Sequence, residues 1–384
     1  MIKGKKGASK RVDIGGQAVM EGVMMKAPDA IAVAVRKPDQ TIIVKRSPYH
    51  SAAKKYPWMG WPFVRGVINM GSMFALGFKT LQQSTEMLGI LDEEPSKFEL
   101  WLSKKLGKGI DKIIMGVAMV LAVALAIGLF FILPELFARL LKGLWPEPGM
   151  NLLINLLSGL LRILVLIGYI LICGLVPDVR RTFQYHGAEH KTVYCHENNL
   201  PLTQENAHGF SALHPRCGTS FLLLVFTISI ILFTLLGYQG SNYVWRLLSR
   251  LALLPVVAGI SYEALKALAH SNAVIARVLR WPGLQMQRLT TKEPAKDMLE
   301  VAIVAMNVAL HGMPKVALTP EGCAVLKDYR QSDPAYEPPE TVTANDAATD
   351  QVGAAGEPDV DPSATGESAE NGPEGGLRSP DSAG

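Results

Sequence analysis

The sequence predicts an α-helical, multi-span membrane protein with a small β-containing cytoplasmic domain at its amino-terminal end and a disordered acidic tail at its carboxyl-terminal end. Three observations carry this expectation. The 384 residues are 49% hydrophobic and 19% charged, with a mean hydropathy of +0.20, which is too apolar for an ordinary soluble enzyme. The apolar residues are gathered into long runs with few charges. Residues 313–384, by contrast, hold 4 basic and 14 acidic residues among many Pro, Gly, Ser and Ala.

Residues 1–58 read as the β-containing domain. Glycines crowd the apolar stretch from Ile14 to Met25, which points to tight turns or bulges and not to a long helix. Two β-prone runs, 31–36 and 41–46, flank Pro38-Asp39-Gln40 and predict a hairpin. Residues 59–112 follow as an interfacial helix and linker. In 61–81 the charges Arg65 and Lys79 leave an uncharged core of only about 13 residues, too short to span a bilayer, and a charged helix is expected around 98–112.

The membrane domain, 113–262, carries about four spans. Residues 113–133 are uncharged and long enough to cross a hydrocarbon core of about 30 Å. Residues 152–176 form the second, with Arg162 expected to snorkel toward the interface, and 219–238 form the third. The fourth, 243–262, is weakened by Arg246 and Arg250 and kinked by Pro255, so a three-span alternative stands beside it. Residues 1–112 contain 19 basic against 10 acidic residues, whereas the 134–150 loop is balanced. This excess predicts an inner-membrane protein with both termini and the 177–218 loop in the cytoplasm, where Cys173, Cys195, Cys217 and Cys323 stay reduced. The charge favours membrane lipid as a partner. Neither a nucleic-acid fold, a phosphate-binding loop nor a nucleophile elbow is present, so no nucleic-acid partner, ATP use or serine hydrolysis is expected.

Residues 263–312 form a carboxyl-terminal helical segment. Thr290-Thr291-Lys292-Glu293-Pro294 resembles a helix start, and Leu299, Ile303, Met306 and Leu310 recur at amphipathic spacing. The disordered tail is expected over 328–384.

The chemistry gathers in the 177–218 loop. Pro177-Asp178 opens a helix that runs to Asn198-Asn199, and on it His186-Gly187-Ala188-Glu189-His190 places two imidazoles one turn apart with a carboxylate beside them. His186 and His190 are candidate metal ligands and Glu189 a candidate general base. Cys195 should point away. A third ligand would come from His214 or Cys217 in His214-Pro215-Arg216-Cys217, or from Glu263, which lies 73 residues after His190. Glu21, the one acid in its apolar glycine-rich segment, is a further candidate, set against an ordinary turn role. A histidine pair on a solvated helix face is the ordinary alternative for the pentad, and a small buried residue is the alternative for Cys217.

Two functions compete. In one, a divalent metal, zinc first among them, sits on His186, His190 and a third ligand, with Glu189 as base in a hydrolase acting on a membrane-associated substrate. In the other, His186, His190, His214 and Cys217 close a structural site in a non-catalytic scaffold or regulator of other membrane proteins. A transporter is disfavoured, because the spans carry few ionisable groups and no repeat halves.

Four blocks, Ile14 to Met25, His186 to Lys191, His214 to Phe221 and Gln287 to Thr291, resemble in order and spacing the bacterial YqhQ family of uncharacterised membrane proteins, over about residues 12–311. The resemblance implies a multi-span inner-membrane protein described as a metal-dependent enzyme without a settled reaction. The family's metal residues would fall on His186, Glu189, His190, His214 and Cys217.

Overall fold

A computed structural model describes residues 14–50, 56–89, 110–235, 243–271 and 273–336. Strands β1 (Gly15–Val19), β2 (Gly22–Lys26), β3 (Ala30–Arg36) and β4 (Ile42–Pro48) form an antiparallel meander, and β5 (Ala324–Leu326) pairs antiparallel with β4. The expected hairpin is β3–β4. The glycine-rich stretch before it is a second hairpin, with Glu21 at its corner at a φ of +48°. The helices are α1 (Val64–Leu88), α2 (Ile110–Ile127), α3 (Leu133–Leu144), α4 (Asn151–Cys173), α5 (Pro177–Glu197), α6 (Gln204–His208), α7 (Gly218–Leu235), α8 (Tyr243–Ala252), α9 (Leu254–His270), α10 (Val274–Thr290) and α11 (Lys296–His311).

Strand alternation divides the sheet's apolar residues between two cores. Val23, Met25, Ala32, Ala34, Ile42 and Val44 face one, while Val19, Met24, Ile31, Val33, Val35 and Ile43 face the other. Both faces must therefore be covered. Helix α1 covers the second through Leu76, Met87 and Leu88, and helices α5 and α11 cover the first. The β-containing domain is thus drawn from both ends and the middle of the chain, and not from residues 1–58 alone.

Helix α11 departs from the expected amphipathic helix. Every residue from Met298 to Ala309 except Glu300 is buried, because Val-Ala-Ile-Val-Ala-Met leaves no polar stripe to face water. It also starts at Lys296 and not at Thr290: α10 ends at Thr290, and Pro294 disfavours a helical conformation at the residue before it. Residues 328–336, the start of the expected tail, are structured. Asp328 caps a 3-10 turn at Tyr329–Ser332, and Asn307 donates to the buried Ser332 hydroxyl at 3.1 Å. Residues 337–384, most of the expected tail, and most of the expected charged helix at 98–112 lie outside the described residues.

Among the described residues four helices are long and apolar enough to cross a membrane: Gly116–Leu144, Asn151–Cys173, Gly218–Leu235 and Leu247–Leu268. Their outer faces carry large exposed apolar side chains, with Val120 at 68%, Leu152 at 66% and Ile172 at 68% exposure, as a lipid-facing helix requires. The first outruns its expected end. The chain passes through a π-helical turn at Gly128–Ile132 and stays helical to Leu144, so most of the expected 134–150 loop is helix. Helix α1 is not among the four, as its charges predict.

Packing of the sheet domain bears on the choice between three and four spans. Strands β1–β4 precede the first span, α5 lies between the second and third, and α11 follows the fourth, yet all three groups share one core. Elements in one core lie on one side of a bilayer, which requires an even number of crossings between them. A three-span arrangement would part α5 from α11.

Arg162 does not snorkel. Pro134 has no N–H to offer the Phe130 carbonyl four residues earlier, and the Arg162 Nε donates to that oxygen at 2.8 Å. Beside it Arg250 pairs with Glu135, and all three are buried.

Candidate metal centre

Helix α5 begins where the sequence places it, with Pro177 in its first turn and Asp178 favourably sited near the positive end of the helix dipole. It ends at Glu197, and Asn199 takes a left-handed φ of +54° just beyond. The helix lies against β1, β2 and α11, which buries the face carrying Glu189 and His190.

The two imidazoles are oriented by backbone carbonyls. His186 Nδ1 lies 3.0 Å from the Thr290 oxygen at the end of α10, and His190 Nδ1 bonds the Ala212 oxygen. A carbonyl only accepts, so each Nδ1 carries the proton and each Nε2 presents a lone pair. The ring centres are 4.5 Å apart. Cys217, just before α7, places its Sγ 3.3 Å from His186 Nε2. Among the described residues His186, His190 and Cys217 form one group whose ligand atoms all lie within 4.8 Å of one another. Tetrahedral zinc ligation sets such atoms about 3.3–3.6 Å apart, so the group fits that ion after small side-chain adjustment. A carbonyl holding the far nitrogen of each ligating histidine is the usual supporting arrangement of metal sites.

Glu189 borders this group. It is 5% exposed, accepts the Gly16 N–H from β1, and brings Oε2 to 3.5 Å from His190 Nε2. Burial raises the pKa of its carboxyl, opposed by His186, His214 and the Gly16 bond, while burial lowers that of His190 against the pull of Cys217. Both shifts run toward the neutral form. A side chain on Gly16 would meet the carboxylate, with Glu189 Cγ at 2.5 Å and Oε1 at 2.7 Å from its Cβ.

The structure does not bring the other expected ligands into the group. His214 is adjacent, its ring 5.7 Å from that of His190, but both its nitrogens are engaged: Nε2 with Glu197 at 3.3 Å, and Nδ1 with the Arg216 N–H at 3.3 Å. Burial lowers its pKa, opposed by Glu189. Glu263 is held elsewhere. It takes a bidentate pair from Arg65 at 2.7 and 2.5 Å and fastens the start of α1 to α9. Glu21 keeps the turn role, clamping the β1–β2 corner to α5 through Arg181 at 2.5 Å. Cys195 points into the core, donates to the Pro201 carbonyl at 3.4 Å, and its thiol is pushed up to about 11 by burial.

Reading single motifs does not reveal the supports. Gln287, fully buried on α10, accepts the His214 N–H at 2.8 Å and donates to the His214 carbonyl at 2.7 Å and the Ser220 hydroxyl at 2.8 Å. It locks the Cys217 turn to the helix whose Thr290 holds His186. Its place in a resembling block is the one signal the sequence offers.

Gly187 sets the distance between these parts, because its Cβ would sit on the Lys292 carbonyl, a backbone atom that cannot swing aside. Gly187→Ala should destabilise the protein by about 1–3 kcal/mol. Thermal unfolding in detergent measures this, with Gly168→Ala as a control that meets nothing within 4 Å; equal melting of both variants would contradict it.

Beside the His214 turn lies an open cleft of about 370 Å³ lined by Tyr194, Ser211, Leu213, Pro215, Arg277, Arg280 and Leu284.

A family described as a protein of unknown function (DUF1385) matches residues 61–312. The uncharacterised protein YqhQ of Bacillus subtilis (strain 168) is 36% identical over 299 residues, covering 77% of this chain and 92% of that protein. No solved structure matches. The chain therefore belongs to the DUF1385 family and is similar to YqhQ over most of its length.

Proposed function

We propose that this is a multi-span membrane protein that holds a divalent transition metal, zinc fitting best, on His186, His190 and Cys217, and hydrolyses a membrane-associated substrate at the cytoplasmic face of the inner membrane. The observation that carries the reading is the shared ring orientation: both Nδ1 atoms lie against backbone carbonyls, which turns both Nε2 atoms toward one sulfur. Three protein ligands leave a fourth position for water or substrate, the pattern of catalytic zinc sites. A metal bound there would supply a water acidified toward neutral pH. Glu189, held by the Gly16 N–H at the edge of the group, then serves as the proton acceptor. The site follows the end of α4 and immediately precedes α7, both long apolar helices. The neighbouring cleft is within the usual 300–1,000 Å³ of small-molecule sites and offers two arginines beside apolar walls, which suits an amphiphile with an anionic or carbonyl head. The cytoplasmic assignment rests on the basic excess before the first span.

The scaffold reading needs His214 as a fourth ligand, and its bonds to Glu197 and Arg216 weigh against that. Cobalt substitution separates the two. The purified protein should carry close to one transition metal per chain, and the cobalt form should show a thiolate charge-transfer band with four- or five-coordinate, solvent-exchangeable ligation. Glu189→Gln should retain the metal. Metal-free protein, or a closed Cys-His₃ spectrum insensitive to added anions, would overturn the hydrolase reading.

A further inference from the structure

Helix α10 is packed along its second half and bare along its first. In the second half Met286 packs against Leu166 and Ile170 of α4 and Leu223 of α7, and Gly283 lies on Ser220 at the start of α7. These contacts fall within about two turns of the α4 and α7 ends that flank the histidine site, so α10 crosses the bundle at that edge. In the first half Val274, Ile275, Val278, Leu279 and Trp281 are each between 56% and 73% exposed. Those values are close to the ones on the outer faces of the candidate spans, and a contiguous patch of large apolar side chains marks a surface that something else covers.

The residues around the patch identify what covers it. At the helical period the five side chains share an arc of about 160°, Arg277 and Arg280 occupy the adjoining arc, and Trp281 stands at the border between the two. Helix α10 carries three arginines and no acid. A basic face beside an apolar face, with tryptophan at the border, is the pattern of a helix lying in the plane of a membrane surface. The helix also starts at the membrane's edge: Arg280 folds back on the Ser271 carbonyl at 3.1 Å and closes the turn from α9, which ends the fourth candidate span. Arg277 is left exposed beside the apolar arc, at the level where lipid phosphates lie.

We propose that the first half of α10 is a docking surface for anionic phospholipid in the leaflet on the histidine side. Acyl chains lie against Val274, Val278 and Leu279, Trp281 sits at the head-group boundary, and Arg277 meets the phosphate. Lipid is favoured over a second copy of the chain because α10 adjoins spans whose own outer faces are bare and apolar, and because its net charge complements a phosphate. The cleft beside the His214 turn is lined by Arg277, Arg280 and Leu284 from the arc next to the patch, so it opens beside the docked lipid. The surface follows from the packing and sequence of α10 and needs no metal.

The test uses the full chain with Trp281 kept and the other five of its six tryptophans replaced by Phe, in nanodiscs of phosphatidylcholine with a minority of phosphatidylglycerol. Bromine on the phosphatidylglycerol chains near the head group should quench Trp281 fluorescence more strongly than bromine near the chain ends. It should also quench more strongly than the same mole fraction of equally brominated phosphatidylcholine. Arg277→Gln should cut this preference for the anionic lipid by roughly fivefold, the value of one basic side chain at an anionic surface. Should the single-tryptophan chain not fold, the difference between the parent chain and Trp281→Phe in the same nanodiscs reads the same residue. Quenching by acrylamide and not by lipid bromine overturns the proposal, as does a tryptophan that neither reaches, the mark of a second copy seated on the patch. Equal quenching by the two brominated lipids overturns the role given to Arg277.

Discussion

Glu135→Leu is expected to destabilise the membrane bundle by about 3–5 kcal/mol, the cost of leaving a buried charge without its partner. Glu135 is 1% exposed and is the carboxylate paired with Arg250, whose guanidinium cannot lose its proton in compensation. Arg250→Met should cost less, since Glu135 still faces Arg162 and a carboxyl group, unlike a guanidinium, can take up a proton and become neutral. The double variant Glu135→Leu/Arg250→Met should recover part of the loss, because an apolar pair of similar volume replaces the buried ion pair while the Arg162 charge beside it remains. Unfolding in a denaturing detergent gives the four corners of the cycle. If both single variants and the double lie within about 0.5 kcal/mol of the parent protein, the pair contributes only what a surface salt bridge does.

That pair also shows where sequence reading stops. Arg246 and Arg250 count against a fourth span when read along the chain, because local hydropathy charges each arginine its full cost. For Arg250 the partner that answers the objection is 115 residues earlier. Arg162 follows the same logic: the carbonyl that draws it inward is exposed by Pro134 in another helix. Features set by local chemistry were legible. The β3–β4 hairpin follows from β-branched runs around a turn, α5 follows from its opening Pro177-Asp178, and the long apolar runs mark the four candidate spans. What required three dimensions was the sheet's covering, since β1–β4, α5 and α11 meet only after the chain has passed four long apolar helices.

The site divides in the same way. The spacing of His186 and His190 on a helix is local and correct in form, and Cys217 was one of three candidate third ligands. Choosing among them depended on competitors elsewhere in the chain. Glu197, 17 residues away, takes His214, and Arg65, 198 residues away, takes Glu263. Gly16 looked like a turn glycine, yet its distinguishing requirement is the Glu189 carboxylate pressed against it.

A graded loss of metal affinity is therefore expected across the five candidate ligands, and it separates the three-ligand centre from its rivals. His186→Ala, His190→Ala and Cys217→Ser each remove an atom of the converging group, and each should weaken zinc binding by more than about 100-fold, beyond the 10–100-fold that loss of an outer partner brings. His214→Ala removes a ring bonded to Glu197 and set against Tyr194, so its effect should stay within that lower range. Glu263→Gln should leave affinity unchanged and loosen α1 from α9 instead, because its bond is to Arg65. Competition with a chromogenic chelator measures all five, and circular dichroism shows which variants remain folded. Should His214→Ala lose as much affinity as His186→Ala and His190→Ala while Cys217→Ser retains full affinity, the centre would be a three-histidine site, and the Cys217 thiol would revert to a small buried residue packed beside it.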